Sequence, residues 1–199
     1  MAADQLIIFA KNPVLGETKT RLAKTIGHQN ALKVYLHLLE HTAKVCLDVN
    51  VDRHIYYSSF IENDDIFDDR SFVKNVQIGS DLGERMYNAF KDLFGQWAEK
   101  VVIVGTDCKE LQPDIIVEAY KKLNECDVVI GPANDGGYYL LGMNTLYKEL
   151  FFNKVWSSEN VLLDTILDLK KLNVKYELLP VLNDIDYKED LGDLERLLE

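Results

Sequence analysis

The sequence predicts a layered α/β fold, and three observations carry that prediction. Apolar runs of strand length alternate with segments of helical period. The run Val101-Val102-Ile103-Val104 is an unbroken string of β-branched residues, which suits a strand covered on both faces. Of the 199 residues 47% are hydrophobic, enough for one substantial core but short for two ordinary domains. No internal repeat, low-complexity tract or Pro/Gly/Ser linker divides the chain, so one domain over 1–199 is expected.

The charge balance narrows the function. With 33 acidic against 22 basic residues the formal charge is −11, which argues against nucleic acid as a partner. The three cysteines, Cys46, Cys108 and Cys126, show no CxxC spacing, so neither a disulfide framework nor a zinc knuckle is implied and a reducing cytoplasm is expected. Met1-Ala2-Ala3-Asp4-Gln5 leads into Leu-Ile-Ile-Phe, too short for a membrane span and without a basic lead, so neither export nor membrane insertion is expected.

The first strand is read at residues 6–10. The loop after it, Ala10-Lys11-Asn12-Pro13-Val14-Leu15-Gly16-Glu17-Thr18-Lys19-Thr20-Arg21-Leu22, places Gly16 among the cations Lys11, Lys19 and Arg21. Such a loop suits a polyphosphate, because Lys and Arg neutralise it and loop amides can point at its oxygens; the alternative is a solvated basic turn. It is not a Walker A loop, which needs a second glycine followed at once by lysine, and no GxGxxG is present. Ala31, Leu32, Tyr35, Leu38, Leu39, Thr42 and Val45 then form the stripe of a long helix.

A second strand is read at 53–57. From 58 to 74 five acids, Glu62, Asp64, Asp65, Asp68 and Asp69, interrupt any period. A loop with at most one short helix is expected there, its acids solvated and the loop free to move on binding. Strand 75–78 leads into Gly79-Ser80-Asp81-Leu82-Gly83-Glu84-Arg85-Met86, where Asp81 or Ser80 caps the next helix. Gly83 in the first turn allows close backbone approach by a ligand, and Arg85 one turn on reaches an anionic group; a purely structural reading serves the segment equally well.

Strand 101–104 ends at Gly105, with Asp107 just beyond it. Ligands in open α/β sheets collect outside the carboxyl ends of the strands, so Asp107 is expected at the rim of a cleft as a metal or substrate carboxylate. Pro113, near the first position of the following helix, lies too far downstream for Asp107 to cap that helix. Ile115, Ile116, Ala119 and Leu123 face inward along it, and Asp114 and Glu118 suit its dipole.

After strand 127–130 the segment Gly131-Pro132-Ala133-Asn134-Asp135-Gly136-Gly137-Tyr138 carries a strong turn signal, which predicts a hairpin into strand 138–142. It also places Gly136, Gly137 and Tyr138 beside Asp135 as a surface for a flat substrate or sugar, with Asp135 as a substrate or catalytic carboxylate. Trp156 either lines a pocket or packs before a helix at about 158–172, capped by Ser158 or Ser157, with Val161, Leu162, Thr165, Ile166 and Leu169 inward.

The last strand, 175–179, precedes Asn183-Asp184-Ile185-Asp186-Tyr187-Lys188-Glu189-Asp190. In an extended segment Asp184 and Asp186 point opposite ways, so one faces the cleft. Asp186 also fits a helix N-cap with Glu189 in a capping box, leaving Asp184 to the metal. The acids from Asp184 to Glu199 otherwise read as a solvated face. His37 and His41 have the i, i+4 spacing of metal ligands but no third partner, and Cys108 lacks a nearby histidine to make it a nucleophile.

The blocks AKNPVLGETKTRL, GSDLGERM, GTDCKEL, GPANDGGYYLLGM, VWSSENVL and DIDYKEDL, in this order, resemble a bacterial family of glycosyltransferase A-like proteins that includes arsenosugar-biosynthesis glycosyltransferases. The resemblance covers nearly the whole chain. More distantly, the Lys-Thr-Arg-Leu loop and the strand-end Asp look like phospholactate guanylyltransferase and the molybdenum-cofactor guanylyltransferases. The resemblance implies the nucleotide-diphospho-sugar transferase (GT-A) fold, a three-layer α/β/α sandwich with a mainly parallel mixed sheet.

By the same likeness the first loop, with Lys11, Gly16, Lys19 and Arg21, binds the nucleotide's phosphates; Gly83, read above as open to a ligand, is expected to join them. Asp107 holds a divalent ion, Mg²⁺ or Mn²⁺, with Asp184 or Asp186 near its other side. Two departures stand out. The Asp-x-Asp of such glycosyltransferases is absent, since Gly105-Thr106 precedes Asp107, and a single Asp looks more like the guanylyltransferases. Lys109 stands where the family commonly has proline.

The expected activity is metal-dependent transfer from a nucleotide-activated donor to a small-molecule acceptor. In glycosyl transfer from a nucleotide sugar, the cations stabilise the leaving nucleoside diphosphate and Asp135, with Arg85 at the same rim, serves the acceptor. In nucleotidyl transfer from a nucleoside triphosphate, an acceptor phosphate attacks the α-phosphorus and the cations hold pyrophosphate. A nucleotide or sugar sensor without turnover is the third class.

Overall fold

The computed structural model of the protein describes residues 4–198. Its strands are β1 (Gln5–Ala10), β2 (Asp52–Tyr57), β3 (Val73–Val76), β4 (Val101–Val104), β5 (Val128–Pro132), β6 (Tyr138–Met143) and β7 (Tyr176–Leu178), and they form one sheet in the order β3-β2-β1-β4-β6-β5-β7. Only β6 runs antiparallel to its neighbours. The helices are α1 (Thr20–Ile26), α2 (His28–Leu47), α3 (Leu82–Gly95), α4 (Pro113–Lys122) and α5 (Val161–Lys171).

Strand alternation divides the core into two layers. Leu6, Ile8, Ile55, Val102, Val104 and Val129 pack against α2 and α4, while Ile7, Tyr56, Val101, Ile103, Val128 and Ile130 pack against α3 and α5. The result is the expected α/β/α sandwich with a mainly parallel mixed sheet. β4 is buried along its whole length, as its β-branched run requires.

The chain leaves β1 toward β2 and β3 on one side and returns through β4 on the other. The switch point therefore lies between β1 and β4, where strand ends diverge and open a crevice. A third apolar cluster joins α1 and α2 to the C-terminal segment through Leu22, Val34, Leu38, Ile185, Leu191 and Leu194. That cluster carries the chain after β7 back to the loop after β1.

Several boundaries differ from the sequence expectation. β3 begins at Val73, so Lys74 belongs to the strand and Ile78 lies beyond it, exposed. The basic loop ends in the short helix α1 already at Thr20. Neither Ser157 nor Ser158 caps α5: Ser157 has a left-handed backbone, the Ser158 hydroxyl donates to the Val155 carbonyl, and Asn160 precedes the helix without a side-chain cap bond. Among the described residues 58–72 form no helix. The hairpin at 133–137, the Asp81 cap of α3 and Pro113 in the first turn of α4 are as expected. Residues 1–3 and Glu199, which begin and end the expected domain and close the acidic tail, lie outside the described residues. No helix among those residues is long and apolar enough to cross a membrane.

Candidate functional site

Lys19 and Asp107 meet across the switch point. Lys19 precedes α1 with a left-handed backbone (φ 48°), a conformation L side chains disfavour, and its side chain is only 4% exposed. Its Nζ lies 2.7 Å from Asp107 Oδ1 and 3.4 Å from Asp186 Oδ1. Arg21 Nη1 reaches the other oxygen of Asp186 at 2.9 Å. Burial alone would lower the Lys19 pKa, but Asp107 first, then Asp186 and Asp184, outweigh it and hold the ammonium above its ordinary value.

The chain after β7 supplies the other acids. Leu182 N–H donates to the Pro132 carbonyl and Ile185 N–H to the Asp107 carbonyl, each bond near 3 Å, which lays 182–186 along the rim beside β5 and β4. Asp184 is pushed up to about 7, by burial first and then by the charges of Asp107 and Asp135, with Lys19 opposing. Asp184 and Asp186 thus both stand among the charges of Lys19 and Asp107, whereas one of them was expected to point away. Asp186 is not the N-cap either. Asp190 accepts from the Asp186 and Tyr187 N–H groups at 3.0 and 2.7 Å, because the chain turns into a 3-10 helix at Lys188–Asp190.

The remaining predicted residues divide. Asp135 stands exposed on the hairpin, accepting from Gly137 N–H at 2.8 Å and close enough to raise Asp184. Lys11 and Gly16 are exposed in the first loop, Gly16 at φ 88°. Arg85 Nε donates to the Gly79 carbonyl at 3.1 Å, bracing the turn between β3 and α3.

Three expectations need correction. The space a side chain would fill at Gly83 holds the Phe151 carbonyl and the Trp156 indole, so the close approach there is made by the protein itself. The same holds at Gly136, where the Glu159 backbone takes the space and the Gly136 carbonyl accepts from Leu162 N–H. Tyr138 buries its hydroxyl without a hydrogen-bond partner, packed with the α3/α5 core instead of lying open beside Asp135.

The scaffolding residues escaped the sequence reading. Asn12 is buried and its Oδ1 accepts from Ser58 Oγ and from the N–H groups of Ser59 and Phe60, while Nδ2 donates to the Phe60 carbonyl. It thereby ties the acidic segment to the basic loop. Tyr35, part of the expected α2 stripe, sends its hydroxyl to the main chain of Lys11 and to Thr106. The acids of 58–72 are not all solvated: Lys74 extends a nearly buried side chain to Asp65 and Asp69, and Tyr57 donates to Asp65 at 2.5 Å. The signal was Lys74 itself, a cation in the strand that follows the five acids of the segment.

The weaker candidates resolve structurally. His41 bonds the Leu111 carbonyl, Trp156 packs on Gly83, Lys109 pairs with Asp193, and burial pushes the Cys108 thiol up to about 12, away from nucleophilic use. A cavity of about 500 Å³ opens beside Lys11 on the α2 flank, lined also by Lys33, His37, Glu62 and Ile66. Asp107, Asp184 and Asp186 do not line it. Among the described residues no group of three or more His, Cys, Asp and Glu side chains is arranged to hold a metal ion unaided.

Comparison with known proteins agrees with this fold. The family described as an uncharacterized protein conserved in bacteria (DUF2064) matches residues 40–158. No curated protein matches the sequence. A solved structure from Desulfovibrio desulfuricans G20, provisionally assigned as a nucleotide-diphospho-sugar transferase, is 29% identical and superposes with a TM-score of 0.87 over 97% of this chain and 86% of that one. The 4-diphosphocytidyl-2C-methyl-D-erythritol synthase of Anaerococcus prevotii (12% identity, TM-score 0.59, 98% and 95% covered) shares the fold. So does the inositol-1-phosphate CTP transferase of T. maritima (11%, 0.57, 100% and 96%).

Proposed function

The chain belongs to the DUF2064 family of bacterial proteins, and we propose that it is a transferase acting on a nucleotide-activated donor, transferring a glycosyl group from a nucleotide sugar to a small acceptor. The observation that carries this reading is the meeting of Lys19, Arg21, Asp107, Asp184 and Asp186 at the switch point of a sheet shared with nucleotide-using transferases. Loop cations beside a carboxylate cluster suit a phosphate chain with a bridging cation.

The donor set fits a hard divalent ion. The acids gathered there offer carboxylate oxygens, and Asp184 is pushed up by burial first and then by the charges of Asp107 and Asp135, with Lys19 opposing. Mg²⁺ is commonly held by one or two carboxylates with substrate phosphates completing its shell, so no cage of three side chains is required. Asp107 and Asp184, with Asp186 adjacent, would hold it, and the ion would neutralise charge on the phosphates as the leaving group departs.

The chain's own groups do the rest. Lys11, Lys19 and Arg21 stabilise the leaving nucleoside diphosphate. Asp135, exposed above Asp184, accepts the proton of the acceptor hydroxyl. Asn12 and Tyr35 keep the phosphate-facing loop in place.

A specific observation favours a second reading, nucleotidyl transfer of the guanylyltransferase type. Position 105 is glycine and the Thr106 hydroxyl turns to Tyr35, so one carboxylate alone stands at the end of β4. An acceptor phosphate attacking a nucleoside triphosphate needs no general base, and Asp135 then only orients it.

A thermal-shift panel of nucleoside triphosphates and nucleotide sugars, with and without Mg²⁺ or Mn²⁺, tests the core of the reading. Stabilisation by at least one nucleotide with metal is expected; none with any would sink it. Product analysis then separates the classes: nucleoside diphosphate for glycosyl transfer, pyrophosphate for nucleotidyl transfer, neither for a sensor.

A further inference from the structure

Lys19 sits where a bridging cation belongs. Its ammonium touches Asp107 and Asp186, carboxylates brought from β4 and from the segment after β7, and it is 4% exposed while the two acids are 49% and 31% exposed. The backbone that aims it is left-handed, and α1 begins at the next residue, so the ammonium is held in place at the entrance of a helix packed on α2. Arg21 differs: half exposed, it pairs with Asp186, and among the described residues it forms no ion pair with Asp107.

We propose that Lys19 is an internal counter-cation that keeps a divalent ion off Asp107 and Asp186 until the phosphate chain of the nucleotide draws the ammonium away, so that metal enters with the nucleotide and not before it. This rests on the nucleotide-transferase reading above. The argument is one of partners. A divalent ion arriving alone must displace a buried ammonium whose neighbouring carboxylates, Asp107, Asp186 and Asp184, are the ones the ion itself would take, and an unpaired buried charge is strongly disfavoured. A phosphate chain on the Lys11 and Arg21 side of the loop gives that ammonium new acceptors. It frees Asp107 and Asp186 in the same step and adds its own oxygens to the ion's shell.

Binding of Mn²⁺ alone, followed by the loss of the free-ion paramagnetic resonance signal, tests this on the full chain without turnover. The wild type is expected to bind at least about tenfold more weakly than Lys19→Met, which frees both acids. Arg21→Met removes the same charge without uncovering Asp107 and is expected to stay within about threefold of wild type. Lys19→Gln, which keeps a hydrogen-bond donor between the acids, covers the case in which Lys19→Met fails to fold, and should show the same tightening. Equal affinity in the wild type and the Lys19 variants, or an Arg21 variant matching Lys19→Met, overturns the inference while leaving the nucleotide reading intact. A nucleotide panel without any stabilisation overturns that reading, whatever the metal affinities are.

Discussion

The Tyr35 hydroxyl closes a ring on the main chain of Lys11, accepting its N–H at 2.9 Å and donating to its carbonyl at 3.0 Å. Thr106 Oγ1 lies 3.3 Å from the phenol oxygen, within hydrogen-bond reach, so one phenol from α2 joins the loop after β1 to the loop after β4. Tyr35→Phe removes the hydroxyl and leaves both Lys11 groups without that partner. A loss of about 1–3 kcal/mol is expected from urea unfolding. A loss below about 0.5 kcal/mol would mean that water replaces the phenol and that the loop does not depend on it.

Asp184 gives a pH dependence with a defined sign. Its folded pKa, about 7, lies above the ordinary 3.8, chiefly through burial and then through Asp107 and Asp135. Between these values the folded state holds a proton that the unfolded state releases, so this residue's contribution falls as pH rises from about 4 to about 7. Asp184→Asn keeps the neutral shape. Thermal unfolding in chelator should show the variant and parent alike near pH 4 and the variant more stable at pH 8. A constant difference across that range would place Asp184 outside the carboxylate cluster.

How far the site was legible follows from the range of each signal. Asp107 was readable because the β-branched run of β4 fixes a buried strand and hence the rim beyond it. The Asp81 cap and the 133–137 hairpin rest on neighbours in sequence and were equally plain. The pairing of Asp186 with Lys19 and Arg21 was not. It depends on Ile185 bonding Asp107 and on Leu191 and Leu194 packing against α1 and α2, contacts between opposite ends of the chain. Gly83 and Gly136 show the same limit: a glycine announces close approach, but only the fold says that the visitor is Trp156 or Glu159.

That correction has its own test. A Cβ on Gly83 would lie 2.1 Å from the Phe151 carbonyl and 2.4 Å from the Trp156 indole nitrogen, so Gly83→Ala must push α3 away from 151–156. Overpacking of this kind destabilises by about 1–3 kcal/mol. Gly83→Ala combined with Trp156→Ala should recover part of the loss, because the indole is one of the two obstacles. A Gly83→Ala protein of parental stability and weakened nucleotide affinity would restore the ligand-facing role expected from the sequence.

Asn12 predicts which part of the acidic segment opens. Its carboxamide holds Ser58, Ser59 and Phe60 near the basic loop, whereas the far part of the segment is held by Lys74, Asp65 and Tyr57. Asn12→Ala therefore frees the near part and leaves the far part pinned. Hydrogen exchange should show the Ser59 and Phe60 amides losing protection, with β1 and β4 unchanged, since local openings follow local bonding. Lys74→Met should release Asp65 and Asp69 while the Ser59 and Phe60 amides keep their protection. If either variant loosens the whole of 58–72 together, the segment is one cooperative unit. In that case its link to the loop after β1 does not run through Asn12 alone.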